Sequence, residues 1–512
     1  MSLAPRPYLI EEYTTTVCPH CFENGPRRAD DDVWRDGMLV AQNDQIWMRR
    51  FCAEHGETAS LYEEDAQIWR ARRGWSAPTS QIIPDRAGNF ASFPDGYRDG
   101  LPASHGQHTC ILLLNLTQRC NYACPTCYAS ALKPGAPKPA SELPTLDELD
   151  HTLDVLIERE AGKLGVLMLS GGEPTLRDDL EQILERALSK NITRVLINTN
   201  GRRIARDKSF VQMLARFRDR IEIYLQFDGP NAKASLAHRG EDVTTEKTRA
   251  LEAIADAKLW STLVMTVARG INDGDVGEVL KLGLSTPRCS GLAIQPMFGS
   301  GRNPGFDPNN RVTPTGVLRR LGEQTQGLVT WQDFLPLPCS HRDCCDISYL
   351  LQTRDGSWQS LPQLIGRDEL QKWLHLVSNT ISFDAVSGGV SQMLQSGAIA
   401  RVFSESGKVS GQQIVADIAR MCGCVAGLPE ILGAIWNREK ALDKMAERTF
   451  RVTVKQFMDA HTFHEARLRQ CCVHTGTFEA DPRRYSFCWR YLFDDADDFP
   501  QARGDVIALE AR

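Results

Sequence analysis

From residue 110 to residue 296 the chain alternates apolar runs of strand length with amphipathic stretches of helical length, and this alternation leaves few folds open. The apolar runs are 110–117, 164–170, 193–199, 221–227, 261–267 and 291–296. None shows polar/apolar alternation, so each predicts a strand covered on both faces. Between them, 145–160, 176–189, 206–219, 244–257 and 275–283 predict helices. Thr145, after Pro144, is the expected N-cap of the first. Leu180, Ile183, Leu184, Ala187 and Leu188 form the apolar stripe of the second. Six such units predict an α/β fold, a partial (β/α)6 barrel, with functional residues at the C-terminal ends of its strands.

This core, taken as 110–300, is flanked by two other regions. Residues 1–75 are short-stranded and turn-rich, and 76–109 carry the Pro, Gly, Ser and Asp of a linker. Residues 301–512 leave the core through a breaker-rich segment, read as mainly helical to 450, and are mixed and cysteine-bearing beyond. No run of about 18 apolar residues predicts a membrane span, and no signal peptide is expected. A net charge of −6 offers no basic excess for nucleic acid. The expectation is a cytoplasmic protein, with peripheral contact at the inner face of a membrane left open.

Sixteen cysteines in such a chain read as metal or cluster ligands rather than disulfides. They fall as Cys18/Cys21, Cys52, Cys110, Cys120/Cys124/Cys127, Cys339/Cys344/Cys345, Cys422/Cys424, Cys471/Cys472 and Cys488. Cys289 stands alone and is expected to be a small buried hydrophobe. CPHC at 18–21 and FCAEHG at 51–56 bracket a stretch of hairpin character, the two knuckles of a rubredoxin or zinc-ribbon site.

The chemistry centres on TQRCNYACPTCYAS at 117–130, directly after the first core strand. Its CxxxCxxC places Cys120, Cys124 and Cys127 on one short loop. Three thiolates there can bind three irons of a cubane and leave the fourth iron open to a ligand. Taken alone, the motif is equally half of a zinc site, but its context decides. The second strand ends in SGGEP (170–174), where Gly171 and Gly172 allow close backbone approach and Glu173 can take an ammonium. The third ends INTNG with Thr199 and Asn200, the fourth LQFDG with Gln226 and Asp228, and the sixth AIQP with Gln295. Tyr128 follows the last ligand and is expected near the cluster and an adenine.

On these motifs residues 110–300 resemble the radical S-adenosylmethionine (SAM) superfamily core. The resemblance implies a [4Fe–4S] cluster on Cys120, Cys124 and Cys127 that cleaves SAM to a 5′-deoxyadenosyl radical. It implies that Gly171, Gly172 and Glu173 hold the methionine part, and that Thr199, Asn200, Gln226, Asp228 and Gln295 surround SAM or substrate. CPHC, FCAEHGE, QHTC, LPCSHRDCC, KQFMDAHTF, RQCCVH and Cys488 together resemble the tetraether lipid synthase family over nearly the whole chain. That likeness implies C–C coupling of lipid tails at unactivated C–H bonds, an electron donor such as ferredoxin or flavodoxin, two auxiliary [4Fe–4S] clusters and one mononuclear iron (or zinc). The auxiliary ligands would be Cys339, Cys344, Cys345, Cys422, Cys424, Cys471, Cys472 and Cys488. The mononuclear site would take Cys18, Cys21, Cys52 and, by count, Cys110. His55, in Cys-x-x-His spacing after Cys52, is the rival fourth ligand.

The apolar stretches of 384–437 are candidates for a lipid channel, against ordinary core packing. His461 and His464 read as a structural pair, against proton handling beside a cluster. Residues 93–105 carry no cysteine where many relatives have a second CxxxCxxC-like motif, which counts against a pterin-methylating enzyme. A methylase or modifier of a small, pterin-like molecule or peptide is nevertheless the alternative to lipid coupling. A non-catalytic iron–sulfur carrier has no use for SGGEP beside CxxxCxxC.

Overall fold

The computed structural model describes residues 7–24, 32–75, 79–136, 144–353, 355–368, 371 and 447–493. The N-terminal region is a four-stranded antiparallel sheet of β1 (Leu9–Val17), β2 (Trp34–Gln42), β3 (Gln45–Cys52) and β4 (Gly56–Glu63), in that order. The β2–β3 hairpin expected between the two knuckles is present. It turns on Asn43 and Asp44, both left-handed at φ 53° and 58°, the conformation that matches the twist of the flanking strands.

The core follows as β5 (Ile111–Asn115), α1 (Leu146–Arg159), β6 (Leu164–Ser170), α2 (Leu180–Ser189), β7 (Ile192–Thr199), α3 (Lys208–Ala215), β8 (Ile221–Gln226), α4 (Ala232–Arg239), α5 (Thr244–Asp256), β9 (Trp260–Val267), α6 (Val276–Ser285) and β10 (Cys289–Pro296). β5 to β10 pair in sequence order, each parallel to the next. The absence of polar alternation has the expected cause, since both faces are buried. Leu112, Leu114, Leu167, Leu169, Val195, Ile197, Ile223 and Leu225 pack outward into the helices, whereas Ile111, Leu113, Val166, Met168, Leu196 and Tyr224 fill the interior. Thr145 caps α1 in a reciprocal capping box with Glu148. The stripe of α2 buries Leu180, Ile183, Leu184 and Ala187, with Leu188 partly covered.

The C-terminal region supplies α7 (Pro314–Gln324), β11 (Leu335–Pro336), β12 (Cys345–Gln352), β13 (Trp358–Ser360), β14 (Thr449–Lys455), β15 (Val473–Gly476), β16 (Arg484–Ser486) and α8 (Phe487–Phe493). Its strands extend the core sheet at both edges. β14 adds parallel to β10 and carries β12 antiparallel, while β15 adds parallel to β5 and carries β16 antiparallel. Sequence had suggested helices to residue 450. Strands occupy much of the described part, and the proposed lipid-channel stretches, with Cys422 and Cys424, lie outside the described residues. Residues 79–109 are packed rather than linker-like. Tyr97, Leu101, His105 and Gln107 are buried, and Gly106 N donates to Arg469 O at 2.8 Å.

The N-terminal sheet docks on this body through buried charge. Arg72 lies 3.0 Å from Glu63 and 2.6 Å from Asp346, and Tyr62 Oη donates to Asp343 at 3.1 Å. His461 faces Ser60 and His464 faces Glu12 across the same junction.

Candidate active site and metal centres

The cysteine loop leaves β5 and is fixed from two sides. Gly172 N donates to Thr117 O at 2.7 Å and Glu173 N to Arg119 O at 2.9 Å, so the chain after β6 zips onto the loop's first residues. A Cβ on Gly171 would stand 2.2 Å from Thr117 O, and one on Gly172 would stand 2.2 Å from Arg119 O. The two glycines therefore admit the cysteine loop's own backbone. From the other side, Cys127 and Arg302 exchange two backbone hydrogen bonds of 2.9 Å, and Arg302 Nη1 donates to Ala131 O at 2.5 Å. Cys120, Cys124 and Cys127 gather in one small cluster with Tyr122 and Val243. Burial pushes the Cys120 thiol up to about 12. Three thiols on one clamped loop fit the three-ligand half of an iron–sulfur cubane.

Glu173 is buried and heavily bonded. Its Oε1 accepts from Thr175 N, Thr175 Oγ1 and Thr199 Oγ1, and its Oε2 accepts from Asn200 N at 2.7 Å. Thr199 and Asn200 thus orient the acid rather than line the mouth. Asp228 likewise turns to protein. Arg239 Nε and Nη2 grip its two oxygens at 2.6 and 2.8 Å, and Thr266 N donates to it at 3.1 Å. Burial opposes ionisation of Asp228, but Arg239, His238 and Lys247 outweigh it and hold the carboxyl below its ordinary range. Arg239 also reaches Gln226 Oε1 at 3.4 Å and Cys124 Sγ at 3.9 Å, tying the end of β8 to the cysteine loop.

The barrel mouth carries a polar layer. Asn115, Ser170, Asn198, Gln226, Thr266 and Gln295 each end the inward face of their strands, and all but Ser170 retain partial exposure. Asn198 donates to Ser170 Oγ at 2.9 Å, Gln226 donates to Asn198 Oδ1 at 2.8 Å, and Asn115 meets Tyr491 Oη at 3.1 Å. Tyr128 stands at one side, with ring centroids 5.0 Å from Tyr491 and 5.5 Å from Phe487. Arg239, Asn198 and Tyr122 were not singled out from sequence. The helix carrying Arg239 was legible: Asn231 caps it, accepting from Ala234 N at 3.0 Å, and Gly240 ends it at φ 79°.

The N-terminal site corrects one expectation. Cys18, Cys21, Cys52 and His55 bring their donor atoms within 4.8 Å of one another. Cys21 Sγ is 3.7 Å from Cys52 Sγ, and His55 Nδ1 is 3.7, 3.4 and 3.6 Å from Cys18, Cys21 and Cys52. Those separations suit a tetrahedral ion with bonds of about 2.0–2.3 Å. Arg35 adds a donor 3.2 Å from Cys52 Sγ. Cys110, favoured by count as the fourth ligand, lies elsewhere. It precedes β5, where its N–H donates to Cys472 O at 2.9 Å, and its thiol groups with Cys339 and Cys472 within 4.8 Å. His55 wins because it sits on the same knuckle as Cys52.

Cys345 joins Cys110, Cys339 and Cys472 in one buried cluster. Cys344 and Cys488 lie beside the buried Arg467, whose Nε is 3.4 Å from Cys344 Sγ, and Cys471 neighbours both cysteines. Burial pushes Cys471 up to about 12. These groups draw on both edges of the extended sheet, so its ends curl toward each other. They are compatible with auxiliary iron–sulfur clusters or other metal. Cys289 is buried against the core, as expected of a lone cysteine.

Comparison with known proteins agrees with this layout. Residues 114–283 match the radical SAM superfamily, and residues 10–64 match the HMPTM N-terminal zinc ribbon domain. Over 94% of this chain and 93% of the relative, the sequence is 25% identical to the 7,8-dihydro-6-hydroxymethylpterin dimethyltransferase of Methanocaldococcus jannaschii. It is 28% identical to mycofactocin maturase of Mycolicibacterium smegmatis over 41% of this chain and 49% of the relative. The SAM-bound structure of SuiB from Streptococcus suis matches with a TM-score of 0.35 at 16% identity, over 43% of this chain and 48% of that one. The chain thus spans about half of each of the last two proteins. The relative matched over nearly the whole chain is named for a pterin rather than a lipid, and no helix among the described residues is long and apolar enough to cross a membrane. The chain carries a radical SAM domain, of the superfamily that uses SAM and a [4Fe–4S] cluster, behind an N-terminal zinc ribbon domain.

Proposed function

We propose that this protein is a radical SAM methylase of a small heterocycle of the pterin class. The observation that carries the reading is the near-full-length likeness to a dihydropterin dimethyltransferase, with ribbon and barrel in the same order. The mouth supports it, because a layer of amide and hydroxyl side chains suits a polar heterocycle better than a hydrocarbon tail. The missing cysteines at 93–105 had argued the other way. Cys110, Cys339 and Cys472 supply a further thiol cluster elsewhere, so that absence loses its force.

When bound, a [4Fe–4S] cluster and SAM would supply a 5′-deoxyadenosyl radical, and a one-carbon donor would supply the transferred carbon. The chain's own residues bind and orient. Cys120, Cys124 and Cys127 would hold the cluster on the clamped loop. Glu173, its orientation fixed by Thr175, Thr199 and Asn200, is left with capacity on Oε2 for the ammonium of SAM. Arg239 keeps Asp228 ionised and the end of β8 in register with the cysteine loop. Gln226 and Gln295 present amides to whatever enters. Electrons come from a donor protein of ferredoxin or flavodoxin type.

Lipid-tail coupling is the competing outcome of one experiment. The protein is incubated anaerobically with SAM, a strong reductant, and either 7,8-dihydro-6-hydroxymethylpterin or a lipid extract. A pterin product heavier by one or two CH2 units supports the proposal. A lipid that has lost two hydrogens per new bond, with the pterin unchanged, replaces it.

A further inference from the structure

We infer that Lys455 is a substrate-positioning residue of this barrel, donating to the ring oxygen of a lactam heterocycle. This inference deepens the methylase reading and rests on it for the class of ligand. It starts from alternation along β14. Phe450, Val452 and Val454 point outward into the helix-covered core, so Arg451, Thr453 and Lys455 point into the barrel. β14 is parallel to β10 with Ala293 beside Thr453 and Ile294 beside Val454, so Lys455 comes level with Gln295 at the mouth. Its ammonium reaches inward to 3.4 Å from Tyr224 Oη and 5.6 Å from that ring's centroid. Tyr224 belongs to the interior packing, one inward step below Gln226.

Lys455 is partly buried; no carboxylate among the described residues lies within ion-pair distance of it, and its charged neighbours are Arg451 on its own strand and the Cys345 thiol directly opposite on β12. Of the buried acids at the strand ends, Asp228 is paired with Arg239, and Glu173 is held by Thr175, Thr199 and Asn200 with its spare capacity assigned to SAM. An ammonium has three donors and no acceptor. Tyr224 takes one, which leaves two for a ligand. A half-desolvated cation with no carboxylate partner, and only a thiol across the strand, favours a ligand oxygen that carries negative charge or is strongly polarised. A lactam carbonyl meets that need, and its neighbouring ring N–H suits the amide oxygens of Gln226 and Gln295. Lys455 arrives on a strand remote from the Gly171–Glu173 segment, from the opposite end of the β5–β10 run, so its ligand is the second substrate rather than SAM.

The test uses the full-length reconstituted protein with wild type, Lys455→Met and Lys455→Arg. Iron content and SAM affinity by equilibrium dialysis are measured first, then 5′-deoxyadenosine formation against the concentration of 7,8-dihydro-6-hydroxymethylpterin. The expected result is unchanged iron and SAM affinity within twofold. Lys455→Met raises the half-saturating pterin concentration at least tenfold, with a much smaller fall in maximal rate. Lys455→Arg recovers most of that loss. A small-molecule extract separated by anion exchange is run in parallel. If the pterin stimulates nothing but one fraction stimulates wild type and not Lys455→Met, the pterin reading fails and the lysine subsite stands. A Lys455→Met protein that responds like wild type, binds SAM poorly or loses iron overturns the inference. A wild type indifferent to the pterin and to every fraction overturns both.

Discussion

Replacing Gly172 by Ala tests how tightly the barrel sets the cysteine loop. The added Cβ would meet Arg119 O at 2.2 Å and both Arg119 C and Gln118 O at 2.6 Å, against 3.4 Å or more for ordinary contact. These are backbone atoms, so no side chain can rotate away. The loop must retreat by about 1 Å, and Arg119 is bonded directly to Cys120. A misplacement of about 1 Å at a reacting centre costs roughly 100-fold in rate, or about 2.7 kcal/mol of barrier. The Glu173 N to Arg119 O bond is strained by the same shift. The assay is 5′-deoxyadenosine release from SAM under reducing conditions, with far-ultraviolet dichroism and N-terminal metal content as checks on folding. Gly274→Ala is the control, since its Cβ would find nothing within 4 Å. Gly172→Ala should lose about two decades while keeping the N-terminal ion. SAM cleavage within threefold of wild type would refute the account of this loop.

Three further outcomes follow from the same geometry. His55→Ala should release the N-terminal ion, whereas Cys110→Ser should retain it and lower iron elsewhere; elemental analysis of the purified variants decides. Arg239→Met strands the buried Asp228 charge and should lower unfolding free energy in urea by about 3 kcal/mol, with Arg239→Lys losing less. Asp459 is buried, which opposes its ionisation, yet Arg311 at 2.8 Å, His461, Gly299 N and Thr462 hold it at about 2. Its folded value is depressed below the ordinary 3.8, so it contributes about 2 kcal/mol above pH 4 and loses that contribution as pH falls toward 2. Asp459→Asn should therefore be less stable than wild type at neutral pH, with the gap closing between pH 4 and pH 2 in denaturant titrations.

Much of the core was legible because local rules act there. Strands buried on both faces read as unbroken apolar runs, and Thr145 with Glu148 three residues on is a capping box visible in the letters. The CxxxCxxC loop and SGGEP announced the mouth, since both sit at strand ends. The edges of the sheet were not legible. β15 pairs with β5 across more than 350 residues of sequence, and nothing in Val473–Gly476 names Ile111 as its partner. A count of cysteines points to Cys110 but carries no geometry, whereas the Cys-x-x-His spacing places His55 on the same knuckle as Cys52. Asn198 does not stand out in INTNG, where the turn-forming last letters are the more conspicuous. Alternation along β7 turns Asn198 inward and Thr199 away, which a period-two reading predicts. The substrate class was the weakest reading, since cysteine-bearing flanks shared by several chemistries do not choose between a tail and a ring.

The most direct test of the account is SAM cleavage itself. Reconstituted anaerobically and reduced, the protein should convert SAM to 5′-deoxyadenosine and methionine, and Cys120→Ala, Cys124→Ala and Cys127→Ala should each abolish that conversion while the N-terminal ion stays bound. Undiminished 5′-deoxyadenosine in any one of the three variants would contradict the assignment of the barrel mouth as the site of chemistry.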